Sequence, residues 1–341
     1  MRKFGKRVWD SPLATTWAAT SAQLASLMLV LPLVLAKFSA EEVRFWLILN
    51  SLLIISMLVE VGFSSVFSRL YAFAMAGRKP HELGIQNWDR PNSDANPDWK
   101  TLAQLNQAGQ RVFFRLGFLY LIILGGIGTW VVQDVVDGLA NPQLGWAAWA
   151  VMVVVQPIVF VGKKYGCYLS GTGLIAINQR FAALVSFFSA AAMVTALFMG
   201  AGIFTVIVIG QLTALAAFFR GRILALKARP GKYLDSLLGS TVSSEIWGVA
   251  WPSAWKSAIG QISLTGTTHL TVLLFSKGVD PVEGAAYLLT LRLVTTVSQI
   301  ANAPFYSKLP FLGKLRGTGD LDEFRKLAIK GMSLASFVFV I

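Results

Sequence analysis

Long uncharged runs separated by short polar or basic stretches dominate the pattern of this chain. An apolar run of about 20 residues lets a helix cross the ~30 Å hydrocarbon core of a membrane. Residues 181–219 are all uncharged and would extend ~58 Å as one straight helix, so the pattern predicts a turn at Gly200, Ala201 and Gly202. In total we predict nine spanning helices, approximately at 13–36, 45–68, 116–132 and 144–162, two within 181–219, one ending at 276, one at 284–307 and one starting near 321.

Composition places the chain in the class of all-α polytopic membrane proteins. It is 55% hydrophobic and only 14% charged, with a mean hydropathy of +0.61, which excludes an ordinary soluble domain. The net charge of +13 does not predict a nucleic-acid partner, because the basic residues lie between apolar runs and form no soluble basic face. One cysteine and two distant histidines predict no disulfide, no metal site and no cofactor.

The distribution of basic residues predicts the orientation of the helices. The N-terminal MRKFGKR precedes an apolar run that is too long for a cleaved signal peptide, so we predict an uncleaved first span. If the N-terminus is cytoplasmic, most of the 30 Lys and Arg fall on the cytoplasmic side, as the positive-inside rule requires.

A weak internal repeat predicts two similar halves. The order aromatic, Ser, basic, Leu occurs at 67–70 and again at 306–309, about 240 positions later. A lysine, Lys37 or Lys277, stands before the apolar run that precedes each tetrad. We therefore predict a six-helix transmembrane lobe at 1–240 and the start of a second lobe at 245–341. Because that second lobe would hold only three spans, the chain is predicted to be incomplete.

Three stretches carry a family resemblance. They are AKFSAEEVRFWLILNSLLIISMLVEVGFSSVFSRLYA at 36–72, GTGLIAINQR at 171–180, and AAYLLTLRLVTTVSQIANAPFYSKLPFLGKLRGTGDLDEFRKL at 285–327. The acidic-x-Gly element at 60–62 and the Pro and basic residues that end the eighth span are part of the pattern. The chain resembles the lipid-linked polysaccharide flippases of the O-antigen type, within the multidrug, oligosaccharidyl-lipid and polysaccharide exporter superfamily.

The resemblance implies two six-helix lobes around a central cavity that opens alternately to either side. It implies a multi-pass protein of the bacterial inner membrane that translocates a polyprenyl-diphosphate-linked oligosaccharide for surface polysaccharide biosynthesis, including O-antigen and lipopolysaccharide. The implied partners are this glycan and the lipid bilayer, with a polysaccharide polymerase and glycosyltransferases as further candidates. Cationic residues in the cavity would hold the diphosphate.

Two cations within predicted spans are candidates for substrate binding. Arg292 lies well inside the eighth span, where a charge costs roughly 2.5–3.5 kcal/mol, so it is a candidate diphosphate contact or a member of an interhelical ion pair or hydrogen bond. Lys256 lies near the cytoplasmic end of the seventh span, where its side chain could also extend into the headgroups.

Two further residues are candidates for ion coupling. Glu60 is an acid well inside a span and is either a proton or sodium site or the partner of a cation such as Arg115 or Lys163. His269 lies on an apolar span, where a structural histidine is the alternative.

Other functions predict other patterns. A multidrug or cation antiporter of the same superfamily would favour an acidic, aromatic cavity, and two deep cations argue mildly against it. A membrane glycosyltransferase or polymerase would need substantial outer loops with catalytic groups, whereas the predicted outer loops are short. The sequence carries no constellation of catalytic residues, so we predict a transporter and not an enzyme.

Overall fold

The structure is a computed structural model that describes residues 12–53, 55–60, 62–75, 97–228, 244–261, 281–306 and 321–340. About 92% of it is helical, with no strand among the described residues, which confirms the all-α fold. The helices are α1 Pro12–Lys37, α2 Ala40–Leu52, α3 Ile55–Glu60, α4 Phe63–Met75, α5 Trp99–Ile123, α6 Thr129–Asp137, α7 Pro142–Val161, α8 Lys163–Gly171, α9 Ile175–Phe198, α10 Ile203–Ala228, α11 Ser244–Gln261, α12 Pro281–Tyr306 and α13 Leu321–Val340.

Four helical segments of the described chain are long and apolar enough to cross a membrane. The segment formed by α5 and α6 is continuous because a π-helical turn at Leu124–Gly128 joins them. Exposed apolar side chains such as Phe118, Ile122 and Trp130 cover this segment, as expected for a surface in contact with lipid. The four segments are Trp99–Asp137, Pro142–Gly171, Ile175–Phe198 and Ile203–Lys227.

The predicted turn between the fifth and sixth spans is confirmed. Helix α9 ends at Phe198 and α10 begins at Ile203, with Gly200 at φ 82° between them. The Ala201 N–H donates to the Ala196 carbonyl at 2.9 Å, and the Gly200 N–H donates to Leu197 at 3.2 Å. This is the Schellman arrangement, in which a glycine takes the left-handed conformation that ends a helix.

The prediction of one continuous second span at 45–68 is wrong. Three helices, α2, α3 and α4, cover this stretch, and the described backbone has a left-handed residue, Gly62, at φ 71°. A left-handed residue cannot continue a right-handed helix, so the chain changes direction between Glu60 and Phe63. The break places Glu60 at the end of α3, where its side chain can reach a neighbouring helix.

Helix ends from distant parts of the chain contact each other at two separate places along the bundle, which we call its two levels. At one level the Lys37 ammonium donates to the Leu197 carbonyl, and Gly284 lies beside Arg44. At the other level the Asp98 N–H donates to the Ala74 carbonyl at 3.0 Å. We call the part of the bundle between this contact and the junction of α7 with α8 the basic end. The basic residues on the helices there are Arg69, Lys100, Arg111, Arg115, Lys163, Lys164, Arg180, Arg220, Arg222 and Lys227.

Helices α11 and α12 pack against the earlier helices, and α13 packs against α12. Helix α12 contacts α2 and α1, and the ring of Trp251 on α11 lies 6.1 Å from Phe63 on α4. Helix α12 confirms a helix at the predicted eighth span. Of the repeat landmarks, 307–309 and Lys277 lie outside the described residues, so the two-lobe arrangement and the division at 240–245 stay predictions.

Candidate functional site

The four predicted site residues lie on separate elements. Glu60 ends α3, and Arg292 lies within α12, where the structure describes its backbone and not its side chain. Lys256 is an exposed residue of α11. His269 lies outside the described residues. Of these four, Glu60 is the one for which the structure shows a charged partner.

Glu60 forms an ion pair with Lys163, one of the two partners expected from the sequence. The Lys163 ammonium lies 2.5 Å from the Glu60 carboxylate, with 30% and 16% of the respective side chains exposed. The same ammonium lies 4.9 Å from the centre of the Phe160 ring, so it also makes a cation–π contact. Because both charges are largely removed from water, each depends on the other for stabilisation.

One face of α8 holds this pair against α4. Lys163, Cys167 and Gly171 recur every four residues and therefore share that face. The Cys167 thiol lies within hydrogen-bonding reach of Ser64 and Ser68. We call Lys163, Cys167 and Gly171 the acid-facing side of α8, because it leads to Glu60.

Gly171 sets the distance between the two helices at the basic end. A Cβ atom at this position would meet the Cβ of Tyr71 and lie 2.5 Å from the carbonyl oxygen of Ser68. Real Cβ atoms do not approach a backbone oxygen so closely, so only glycine permits this packing.

Aromatic rings fill the space between α4, α5, α7 and α8. Phe113 lies 6.1 Å from Phe67 and 6.3 Å from Phe160, measured between ring centres. Tyr71 packs edge-on against Tyr168 at 5.6 Å, and its hydroxyl donates to the Asn106 amide oxygen at 3.4 Å. All of these rings are buried, so the ion pair lies beside a close-packed apolar wall.

Lys164 meets a different environment from that of Lys163. It lies close enough to Arg222 on α10 for their positive charges to repel. The neighbouring Tyr165 packs against Phe218 at 5.9 Å, which fixes α8 beside α10. Sequence analysis did not find this cation pair, because nothing in the linear pattern shows that α8 and α10 are neighbours.

This arrangement provides an ion pair within an apolar bundle. Among the described residues, no group of three or more His, Cys, Asp or Glu could hold a metal ion. The chain matches no protein-family model, no curated protein and no solved structure. Its function is therefore inferred from its own residues.

Proposed function

We propose that this chain translocates a polyprenyl-diphosphate-linked oligosaccharide across the bacterial cytoplasmic membrane for surface polysaccharide biosynthesis. The observation that carries the proposal is the Glu60–Lys163 ion pair, held among helices whose other surfaces are apolar. Charged side chains at such positions mark substrate or ion pathways in membrane proteins. The choice of cargo rests on the resemblance of 36–72, 171–180 and 285–327 to polysaccharide flippases.

The position of the basic residues supports an orientation of the helix bundle in the membrane. Of the twelve described Lys and Arg on α1 to α10, ten lie there, whereas Lys37 and Arg44 lie at the other level. In the proposed topology the basic end therefore faces the cytoplasm, in agreement with the positive-inside rule. This is also the side on which a lipid-linked oligosaccharide is assembled before translocation, so a cationic surface there would attract its diphosphate.

Charge balance favours an anionic cargo over a cationic drug. An exporter of cationic drugs needs an acid that is free to attract the cation, and Lys163 already neutralises Glu60. The same pairing gives Glu60 a role in coupling, because protonation of the carboxylate would release Lys163 and loosen α3 from α8. In this proposal His269 is a second coupling candidate.

Arg292 is the proposed diphosphate contact. It lies in the interior of α12, ~16 Å from the first residue of the helix. A guanidinium binds phosphate oxygens with two parallel hydrogen bonds, which suits a diphosphate better than an ammonium does. Lys256 is exposed on α11 and would contribute long-range attraction to the same headgroup. The two-lobe exporter fold around a central cavity is part of this proposal.

The proposal is tested by locating the lipid-linked glycan in cells that lack this protein. We expect the glycan to accumulate in the cytoplasmic leaflet, and expression of the chain to relieve the accumulation. Arg292→Ala should relieve it less, while the matched control Lys326→Ala, which removes an exposed cation of α13, should relieve it fully.

Other outcomes would contradict parts of the proposal. Full relief by Arg292→Ala, at an equal level in the membrane, would remove Arg292 from the mechanism. Absence of accumulation in cells without the protein would exclude this cargo. Resistance of the expressing cells to cationic dyes would then indicate drug export.

A further inference from the structure

Two neighbouring helical segments are interrupted at the same level of the bundle. Helix α2 ends at Leu52 and α3 begins at Ile55, while a π-helical turn at Leu124–Gly128 separates α5 from α6. Helix α2 packs against α6, whereas α3 packs against α5, so the two interruptions face each other. We call the level of Lys37 and Arg44 the far end, because it lies opposite the basic end. The interruptions divide the two segments into a far-end half, α2 and α6, and a basic-end half, α3 and α5.

Polar side chains account for the interruption after α2. The Asn50 Nδ2 donates to the Trp46 carbonyl at 2.8 Å, and the Ser51 Oγ donates to the Leu47 carbonyl at 2.9 Å. Side-chain bonds of this kind, to the fourth preceding residue, weaken and bend helices. The Ser56 N–H then donates to the third preceding carbonyl at 3.1 Å, which is the pattern of a turn tighter than the α-helix.

Glycines account for the interruption between α5 and α6. The π-helical turn reads LGGIG, and a Cβ atom added at Gly125 or Gly126 would meet no described atom within 4 Å. The backbone therefore has the conformational freedom of glycine and no packing on that side to restrict it. Turns of this kind are rare within helices and are frequent at functional sites.

Helix α7 provides a fixed point beside the π-helical turn. A Cβ atom at Gly128 would lie 2.7 Å from the Trp149 ring, so the turn packs directly on that ring. The Trp149 indole N–H donates to the hydroxyl of Thr129, the first residue of α6, at 3.0 Å. Helix α6 can therefore change its angle to α5 while its first turn stays in place on α7.

The two halves are held by different neighbours. On the basic-end side, α5 packs against α4 and α8, and the Glu60–Lys163 ion pair ties α3 to α8. On the far-end side, α2 packs against α12, where a Cβ atom at Gly284 would lie 3.5 Å from the Arg44 Nε. A tilt of α2 and α6 would therefore separate α2 from α12 and leave the basic-end contacts intact.

We propose that α2 and α6 form a gate at the far end, which pivots at the two interruptions and opens between α2 and α12. Glu41 lies twelve residues before Leu53, ~18 Å along α2, so a tilt of about 20° moves it by about 6 Å. In the proposed topology the far end faces away from the cytoplasm, so the open gate would release the cargo there. That link to release rests on the proposed function, whereas the pivoting motion does not.

The experiment measures the separation of α2 from α12 by double electron–electron resonance, with the full chain in lipid nanodiscs. Spin labels are attached at Glu41→Cys and Glu283→Cys, which replace exposed residues at the far end, in a Cys167→Ser background. A second pair of labels, at Arg69→Cys and Arg111→Cys, reports on α4 and α5 at the basic end. Each pair is measured with and without polyprenyl diphosphate.

We expect two separations for the far-end pair, which differ by about 6 Å, and a single separation for the basic-end pair. Gly125→Ala with Gly126→Ala should lower the fraction of the longer separation roughly fivefold per alanine, because alanine favours a regular helix over glycine by about that factor. The matched control is Gly248→Ala with Gly260→Ala, two glycines of α11 with equally open surroundings. It should leave both fractions unchanged.

Three results would overturn the gate: a single far-end separation in the labelled parent chain under both conditions, two separations at the basic end as well, or equal effects of the test and control variants. Should the alanine variant fail to fold, Asn50→Leu with Ser51→Ala tests the same pivot from α2. It removes the two side-chain bonds that weaken this helix and should also reduce the longer separation.

The gate and the proposed cargo can fail independently. Two far-end separations, in a protein whose loss causes no accumulation of the glycan, would keep the gate and exclude the cargo. A single separation, in a protein that relieves the accumulation, would keep the cargo and exclude the gate.

Discussion

Lys163 and Lys164 are adjacent in sequence and lie in opposite electrostatic environments. Lys163 points to the acid-facing side of α8 and pairs with Glu60, whereas Lys164 lies against Arg222. Successive residues of a helix point about 100° apart, so one residue step is enough to exchange an acid for a cation. The comparison shows that two adjacent lysines at the end of a span can meet charges of opposite sign.

The largest loss of stability should come from adding a side chain at Gly171, where α8 packs closely against α4. We expect Gly171→Ala to lower the free energy of unfolding by roughly 2–3 kcal/mol, because its Cβ would overlap the backbone of Ser68. Gly166→Ala on the same helix is the control, since a Cβ there meets no atom within 4 Å. Unfolding by sodium dodecyl sulfate in mixed micelles measures both variants. A loss of the same size in both would show that close packing of α8 on α4 is not required.

The next effect concerns the ion pair itself. We expect Glu60→Ala and Lys163→Ala each to lower the free energy of unfolding by about 1–2 kcal/mol, less than for a fully buried pair because 30% of the Lys163 side chain is exposed. The double variant should lose little more than either single variant, since the second substitution removes a charge that is already unpaired. Additive losses in this double-mutant cycle would mean that the two charges do not stabilise each other.

The smallest expected change in stability is a gain and not a loss. We expect Lys164→Met to raise the free energy of unfolding by about 0.5 kcal/mol in lipid-free detergent, because it removes the repulsion by Arg222. Added salt should stabilise the wild type more than this variant, since salt screens the repulsion. Lys227→Met, which removes an exposed cation of α10, is the control and should have no effect. The Lys164 ammonium also lies 5.0 Å from the centre of the Tyr165 ring, and a destabilised Lys164→Met would show that this cation–π contact outweighs the repulsion.

A pH effect is expected far from these lysines, at the start of α2. Ser39 caps this helix, and its hydrogen bond lowers the pKa of the Glu41 carboxyl below its ordinary value. A lowered folded-state pKa stabilises the protein above the pKa of the unfolded chain, and this stability is lost as the pH falls through the folded-state pKa. Ser39→Ala should therefore reduce the loss of stability below about pH 4.5, measured as the unfolding midpoint against pH.

The sequence predicted the helices well where membrane thickness alone decides them. The turn at Gly200 followed from the length of an uncharged run that no single span could accommodate. The break at Gly62 did not, because glycine is common in membrane helices and only the fold shows whether its φ is positive. The partner of Glu60 was narrowed to two cations, and the choice of Lys163 required knowing that α3 lies beside α8.

The charged residues of the candidate site divide in the same way into those that the sequence reveals and those that only the fold reveals. Glu60 was found because an acid in an apolar run is costly, whatever the fold. Lys164 and Arg222 were not found, because each is ordinary at the end of a span and becomes unusual only beside the other. The family resemblance and the roles of Arg292, Lys256 and His269 stay predictions.

Cys167 makes the acid-facing side of α8 chemically observable in the unmodified protein. It is the single cysteine of the 341-residue chain, and only 4% of it is exposed. A thiol reagent therefore labels the protein at one position, and only when α4 and α8 separate enough to admit it. The alkylation rate would report how often this interface opens, with no engineered label. Comparison of that rate with and without the proposed lipid-linked substrate would show whether the opening belongs to the proposed transport cycle.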